Sequence, residues 1–306
     1  IAQHIGRAFE ADECTISSWD RPGDRLLTRG YWPPQRLEDV GVHVSYGVAG
    51  LKTHAKVMLV VRREGDAMRR YVHIGTGNYH PRTARLYTDF GVFSLDPELG
   101  ADLTDLFNVL TGFAAPERYR KLIIAPRGMR ERFAAMIHRE ADHARVGRPA
   151  RIIAKMNALV DPVLIRALYE ASRAGVIIDL IVRGICCLRP GLPGLSDQIR
   201  VISIIGRFLE HSRAFYFLNG GEEELYIGSA DWMPRNLDRR IEAVVPVDDL
   251  THRQTIRDLL HRMWQDNRQA WELGPDGRYT QRQPPETGPE IGTHRLLVDH
   301  YRDGVR

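Results

Sequence analysis

The apolar positions along the chain follow two periods. Over residues 251–272, Ile256, Leu259, Leu260, Met263 and Trp264 recur at three- and four-residue spacing, which predicts an amphipathic helix capped by Thr251. Over 161–175, Leu164, Ile165 and Leu168 share a face, Asp161 can cap, Pro162 suits the first helical position and Gly175 closes the helix. Leu103, Leu106, Phe107 and Leu110 end a further helical pattern at Gly112, and a new strand starts at KLIIAP. Apolar runs at 57–61, 71–74, 90–94, 176–182 and 214–218 predict strands, the last closed by the turn sequence Asn219-Gly220-Gly221. Helices and strands alternate, so the expected class is α/β, with helices covering a sheet. Residues 274–293, with GPDG and PPETGPEIG, predict an irregular tail.

The pattern also repeats. EDVGVHVSYG (38–47) and SRAGVIIDLIVRG (172–184) are each a helix end followed by Gly-Val and a strand. After each comes a histidine two residues before a base, His54-Ala55-Lys56 and His211-Ser212-Arg213. An apolar strand, a polar turn and a second strand follow, ending in Ile74-Gly75-Thr76-Gly77-Asn78 in one half and Ile227-Gly228-Ser229-Ala230-Asp231 in the other. An arginine-containing segment then leads into a strand, TARLYTDFGVF and RNLDRRIEAVVPV respectively. The chain reads as a duplicated unit divided near residue 120, giving a first domain over 1–120, with an atypical start over 1–34, and a second over 121–306.

Composition narrows the picture only slightly. The 306 residues suit two domains, and no window approaches the length of an uninterrupted apolar membrane span. The first residues lack the layout of a signal peptide, which predicts the cytoplasm, whereas peripheral membrane association is not legible in the sequence. Three cysteines, Cys14, Cys186 and Cys187, cannot form a disulfide framework and lack zinc-ligand spacing, so free thiols are expected. A balance of 43 basic against 39 acidic residues is too mild to name a partner, and nothing singles out nucleic acid.

The duplicated motif suits phosphoryl transfer. A neutral imidazole is a competent nucleophile toward phosphorus, and a second histidine from the other half could hold or protonate the leaving oxygen of an in-line displacement. Because strand side chains alternate, Lys56 and Arg213 fall on the same face as their histidines and can reach phosphoryl oxygens. Gly75 and Gly77 permit close backbone approach, and Asn78 can bond an anion. His73, His138 and His261 have no counterpart in the other half and read as packing or surface residues, while Lys155 and Asn157 are either phosphate contacts or solvent residues.

GLKTHAK, HIGTGNY, TARLYTDFG, KMNALVD, LIVRGICCLRPGLPGLSDQIRVISIIGRFLEHSR, GSADWMPRNLDRRIE and LGPDGRYTQR, spread from about Arg36 to about Arg282, resemble polyphosphate kinases of the type whose catalytic half has the phospholipase D fold. The resemblance implies two phospholipase D-like domains related by a pseudo-dyad, and reversible transfer of the ATP terminal phosphate to inorganic polyphosphate with Mg2+. It implies that His54 becomes phosphorylated and that His211 contacts the nucleotide phosphates, with the acid toward the leaving group as its candidate role. Tyr87 and Arg183 match nucleotide contacts, Arg240 matches a basic residue of the phosphate channel, and Lys56, Asn78, Arg85, Arg130, Arg213 and Arg235 are expected along the same path.

Two departures accompany the resemblance. Residues 1–34 hold no lysine-alanine-arginine-phenylalanine-aspartate segment, whose arginine the family assigns to its metal site, so the metal-site residues stay unassigned. Full-length members also carry helical and head domains on the N-terminal side and are expected to be homo-oligomers; this chain resembles the catalytic C-terminal half alone. The competing readings are an incomplete fragment that only binds polyanions, and a phospholipase D-like phosphodiesterase. The latter would carry an aspartate shortly after each motif's base, where this chain has VMLVVRR and AFYFLNG.

Overall fold

The computed structural model describes residues 14–20, 25–32, 47–112, 116 and 118–303. The Gly-Val strand expected over 38–47 lies almost wholly outside the described residues, as does most of the start over 1–34.

The core is a ten-stranded mixed sheet. Its centre is the parallel trio Arg151–Met156, Ile177–Val182 and Ile199–Ile204, flanked on one side by the antiparallel run Ala214–Phe217, Glu224–Gly228 and Arg240–Pro246. These strands are apolar at both parities because both faces are covered. Ile152, Ala154 and Met156 enter one core cluster with helices Met129–Arg145 and Pro162–Arg173, while Ile153 enters the other. The second cluster also takes Leu99, Leu103 and Leu106 of helix Pro97–Leu110, Leu260 and Met263 of helix Leu250–Trp264, and Val57, Val72 and Ile74 of a smaller sheet.

That smaller sheet is an antiparallel hairpin, Lys56–Glu64 and Ala67–Gly75, with Gly91–Ser94 on its edge. It copies the hairpin Ala214–Phe217 and Glu224–Gly228 with Arg240–Pro246 on its edge. A short helix precedes each edge strand, Pro81–Ala84 and Pro234–Arg239. A longer helix capped by an aspartate follows each, Asp96 before Pro97–Leu110 and Asp249 before Leu250–Trp264. From the histidine motifs onward, the described elements of the two repeats therefore correspond one to one, from hairpin through edge strand to long helix.

Two expectations need correction. The helix expected over 251–272 spans Leu250–Trp264, and its cap is Asp249, which accepts from His252 N–H at 2.8 Å, instead of Thr251. Asp266 ends it by accepting the N–H groups of Arg268, Gln269 and Ala270, which turns the chain into strand Ala270–Leu273. Trp271 and Leu273 prolong the apolar spacing and disguise that stop. The tail expected to be irregular over 274–293 contributes strand Tyr279–Gln281, paired antiparallel with Ala270–Leu273 across a turn in which Gly274 N–H donates to Arg278 O at 2.8 Å. Helix Thr293–Asp303 follows it.

Candidate phosphoryl-transfer site

The two halves meet where the duplicated motifs begin. The N–H groups of both His54 and Ala55 donate to Ile241 O at 2.9 Å, and Lys52–Thr53 pairs in parallel with Arg240–Ile241. Leu209–Glu210 likewise pairs in parallel with Tyr87–Thr88, and His211 N–H donates to Thr88 O at 3.2 Å. Each histidine is thus mounted on backbone belonging to the other half.

The side chains cross in the same way. His54 Nδ1 lies 2.8 Å from Glu242 Oε2, and His211 Nδ1 lies 2.8 Å from Asp89 Oδ1. Ser229 Oγ donates to Glu242 Oε2, and Asn236 Nδ2 donates to Oε1 at 2.5 Å. In the matching place Thr76 Oγ1 donates to Asp89 Oδ1 at 2.6 Å. Both hydroxyls in turn accept a backbone N–H, Thr76 from Phe90 at 2.9 Å and Ser229 from Ala243 at 3.2 Å. The small residue after each Ile-Gly pair therefore anchors the carboxylate that orients the opposite half's histidine. A Nδ1-bound carboxylate fixes the imidazole tautomer and leaves Nε2 for chemistry.

The bases behave as a pair too. Lys56 Nζ donates to His54 O at 2.5 Å and Arg213 Nη1 to His211 O at 2.8 Å. Arg213 also pairs with Asp231 at 3.1 Å, and its Nη1 lies 3.2 Å from His211 Nε2. A guanidinium can only donate, so Nε2 of His211 accepts there and Nδ1 carries the proton toward Asp89.

Charge and burial set the protonation states. Burial pushes the His54 imidazole down to about 4, against the opposing pull of Glu242 and with help from the Lys56 and Arg213 charges. His211 is also lowered, first by burial and then, against Asp89, by Arg213 and Lys56. Burial lowers the Lys56 ammonium to about 7. Both imidazoles feel both cations, as expected where the two motifs face one another.

The remaining expected residues divide. The Tyr87 ring packs on His211 with centroids 4.9 Å apart. Arg183 Nε donates to Asn157 Oδ1 at 3.1 Å, and burial lowers its guanidinium. Arg240 starts the strand that bears Glu242, and its charge reaches Lys56. Asn78 follows Gly77 at the loop that holds Thr76, half-buried. Arg85 and Arg235 are exposed, at the C-cap of Pro81–Ala84 and near the N-terminus of Pro234–Arg239. The Arg130 guanidinium is held by Asp238 at 2.6 and 2.7 Å and by Asp161 at 2.9 Å, tying three helices together. Lys155 and Asn157 are buried and bonded to the His211 segment, so neither is a solvent residue. Of the other histidines, His73 packs between Tyr79 and Phe93, and His138 lies on the surface 3.4 Å from Glu170. Cys186 and Cys187 are free.

Sequence reasoning passed over Asp89, Glu242, Asp231 and Asn236. A signal for the first two was present, since aligning TDFGVF on IEAVVP sets an acid at the same step of each repeat. Among the described residues no group of three or more histidine, cysteine, aspartate or glutamate side chains is arranged to hold a metal ion. The carboxylates nearest the histidines are committed to imidazole and hydroxyl partners, which leaves no built metal site there.

Comparisons with known proteins identify the family. The family described as polyphosphate kinase C-terminal domain 1 matches residues 32–116, and polyphosphate kinase C-terminal domain 2 matches 122–291. The polyphosphate kinase of Thermosynechococcus vestitus is 64% identical over 264 residues, covering 86% of this chain and 36% of that protein. That of Synechocystis is 65% identical over 250 residues, covering 82% and 34%. The crystal structure of polyphosphate kinase from Porphyromonas gingivalis superposes with a TM-score of 0.83 at 36% identity, covering 88% of this chain and 42% of that one. The chain spans about a third of the length of these curated relatives. On the strength of these matches, the chain belongs to the polyphosphate kinase family.

Proposed function

We propose that the chain carries the catalytic centre of an ATP–polyphosphate phosphotransferase in which His54 is the phosphoryl acceptor. The observation that carries this reading is the His54–Glu242 contact: Nδ1 is held by a carboxylate, burial favours the neutral ring, and the nucleophilic role falls to Nε2. In the first step Nε2 attacks the terminal phosphorus of ATP. The Nε2–P bond forms as the bridging P–O bond breaks, and ADP leaves with the electron pair. In the second step a terminal oxygen of polyphosphate displaces the phosphoryl group from Nε2, lengthening the polymer and restoring the neutral ring.

Lys56, Arg213 and Arg183 balance charge on the transferring and leaving oxygens, and Tyr87 and Arg240 line the approach. His211 serves first as a hydrogen-bonding partner in this scheme, since burial and then Arg213 lower its proton affinity against the pull of Asp89; arriving phosphates favour its protonation, which would let it donate to a leaving oxygen. Mg2+ is expected to arrive on the phosphates and lower their charge, and no step above runs through it. The division into halves near residue 120, a cytoplasmic location and assembly into homo-oligomers belong to the same proposal.

The test uses ATP labelled at the terminal phosphate, with Mg2+. Acid-labile, base-stable label is expected on the chain, to be lost in His54→Ala and kept in His138→Ala. Absence of label from the unaltered protein, or its survival in His54→Ala, overturns the proposal.

A further inference from the structure

A buried polar chain runs from the C-terminal helix to both neighbours of His211, and neither the duplicated motif nor the family matches, which end at residue 291, include its first member. His294, 2% exposed, sits at the start of helix Thr293–Asp303 with Nε2 2.7 Å from Glu210 Oε1. Phe208 N–H donates to its Nδ1 at 3.4 Å, so the tautomer with the proton on Nε2 satisfies both sides of the ring. Glu210, also 2% exposed, accepts from Thr88 Oγ1 at 2.9 Å and lies 2.9 Å from Lys155 Nζ. Lys155 completes the chain by donating to Ser212 O at 3.0 Å and Ser212 Oγ at 2.8 Å. The residues before and after His211 are thereby fixed from the same buried network, whose far end is supplied by a helix outside the duplicated unit.

We propose that His294 is a positioning residue for His211, acting through Glu210 to hold the imidazole on Asp89 and against Tyr87. The geometry favours this over plain helix packing for two reasons. A histidine that only filled space would not need a carboxylate at Nε2 in a site this dry, where a single missing partner leaves a buried charge exposed to its own desolvation cost. Glu210 is also held from three directions at once, by His294, Lys155 and Thr88, so removing one lets the Leu209–Glu210 strand shift against Tyr87–Thr88 and carries the adjacent His211 with it. Its effect on turnover rests on the phosphoryl-transfer reading; its effect on the His211 ring does not.

The test compares His294→Leu, which removes the donor, with His294→Gln, whose amide can still donate to Glu210. Two readouts are taken on the whole chain. One is the imidazole NMR signal of the His211 Nδ1 proton in protein without nucleotide, and the other is the split of polyphosphate synthesis into kcat and KM. For metal-ligating histidines, loss of such an outer hydrogen-bond partner typically costs about 10- to 100-fold, and the same scale is expected for His211. The leucine variant should therefore lose the sharp downfield His211 proton and at least about 10-fold in kcat, with a smaller change in KM, and the glutamine variant should recover most of both. An unchanged His211 signal in the leucine variant, or equal losses in both variants that follow only their melting temperatures, overturns the proposal. If the leucine variant does not fold, His294→Asn, with an amide too short to reach Glu210, takes its place on the same criteria. Should the unaltered chain make no polyphosphate, the functional reading falls while the NMR comparison still decides the positioning role.

Discussion

Lys56 is 1% exposed, and burial holds its ammonium at about 7, well below the ordinary lysine range, with Arg213 adding to the effect and Glu242 opposing it. At pH 8 the free protein therefore holds much of this lysine neutral. A polyanion arriving beside it restores the charged form, so binding should take up a proton. Titration calorimetry with ATP or short polyphosphate, in buffers of differing ionisation enthalpy, should show net uptake at pH 8 that is lost in Lys56→Met; equal enthalpies across buffers would contradict it. The sign for stability follows from the same shift. The unfolded chain binds more protons than the folded one between about pH 7 and the ordinary lysine value, so Lys56 makes the fold gain stability as pH rises through that window. His54 acts in the same direction lower down: its folded value of about 4 lies below the unfolded 6.5, so stability is lost as pH falls across that interval. Urea midpoints of the unaltered chain and His54→Ala should converge below about pH 4.5 relative to their separation at pH 7, because the alanine variant has no ring to protonate.

At the scale of elements, two glycines in equivalent loops have opposite consequences. A Cβ on Gly228 would lie 2.4 Å from Ala243 O and 2.7 Å from Val244 Cα, both backbone atoms of the neighbouring strand, so Gly228→Ala must spread the central sheet. The expected cost is about 1–3 kcal/mol in urea unfolding. A Cβ on Gly77 would instead lie 2.5 Å from Cγ and Oδ2 and 2.8 Å from Cβ of Asp89, so the carboxylate turns away and the loop shifts slightly while no sheet backbone is pushed apart. Gly77→Ala is therefore expected to keep most of its stability, but to displace the carboxylate from His211 and lower phosphoryl transfer by at least about 10-fold. Similar stability losses in the two variants, with transfer intact in Gly77→Ala, would refute the assignment. The repeat made these loops legible, since Ile-Gly-small recurs at matching places after His54 and His211. What the loops do was not legible. Asp89 and His211 are 122 residues apart, and Glu242 and His54 are 188 apart, so each pair forms only when the halves close on one another. Alternation along single strands carries no record of a partner in the other repeat. Local pattern also failed where a polar residue overrode apolar spacing, as Asp266 does in ending the helix at Trp264.

For the whole molecule, the question is what joins the halves away from the histidines, and the segment between them supplies an answer. Asp102, fully buried on helix Pro97–Leu110, accepts the backbone N–H groups of Arg120 at 2.9 Å, Lys121 at 2.7 Å and Leu122 at 2.9 Å. One carboxylate thus ties the end of the first half to the start of strand Ile123–Ala125, which pairs with Arg240–Pro246 in the large sheet. Lys121 extends the clamp, with Nζ 2.7 Å from Asp96, the cap of one long helix, and 2.7 Å from Asp248, beside the cap of the other. Its ammonium is held above its ordinary value, first by Asp248 and then by Asp96. Lys121 and its partners are partly exposed, so this ion pair is worth little by itself. Asp102 is different, because it is itself fully buried and removing it strands the buried Leu122 N–H while also taking the acceptor from the part-buried N–H groups of Arg120 and Lys121. Asp102→Ala should destabilise the fold by roughly 3 kcal/mol, whereas Asp105→Ala, which removes an exposed partner of Arg120, should shift it by less than about 1 kcal/mol. Since the second core cluster takes residues from both halves, the loss should appear as one cooperative urea transition moved to lower midpoint. A midpoint unmoved in Asp102→Ala, or two separate transitions in the unaltered chain, would show that the halves hold together without this clamp.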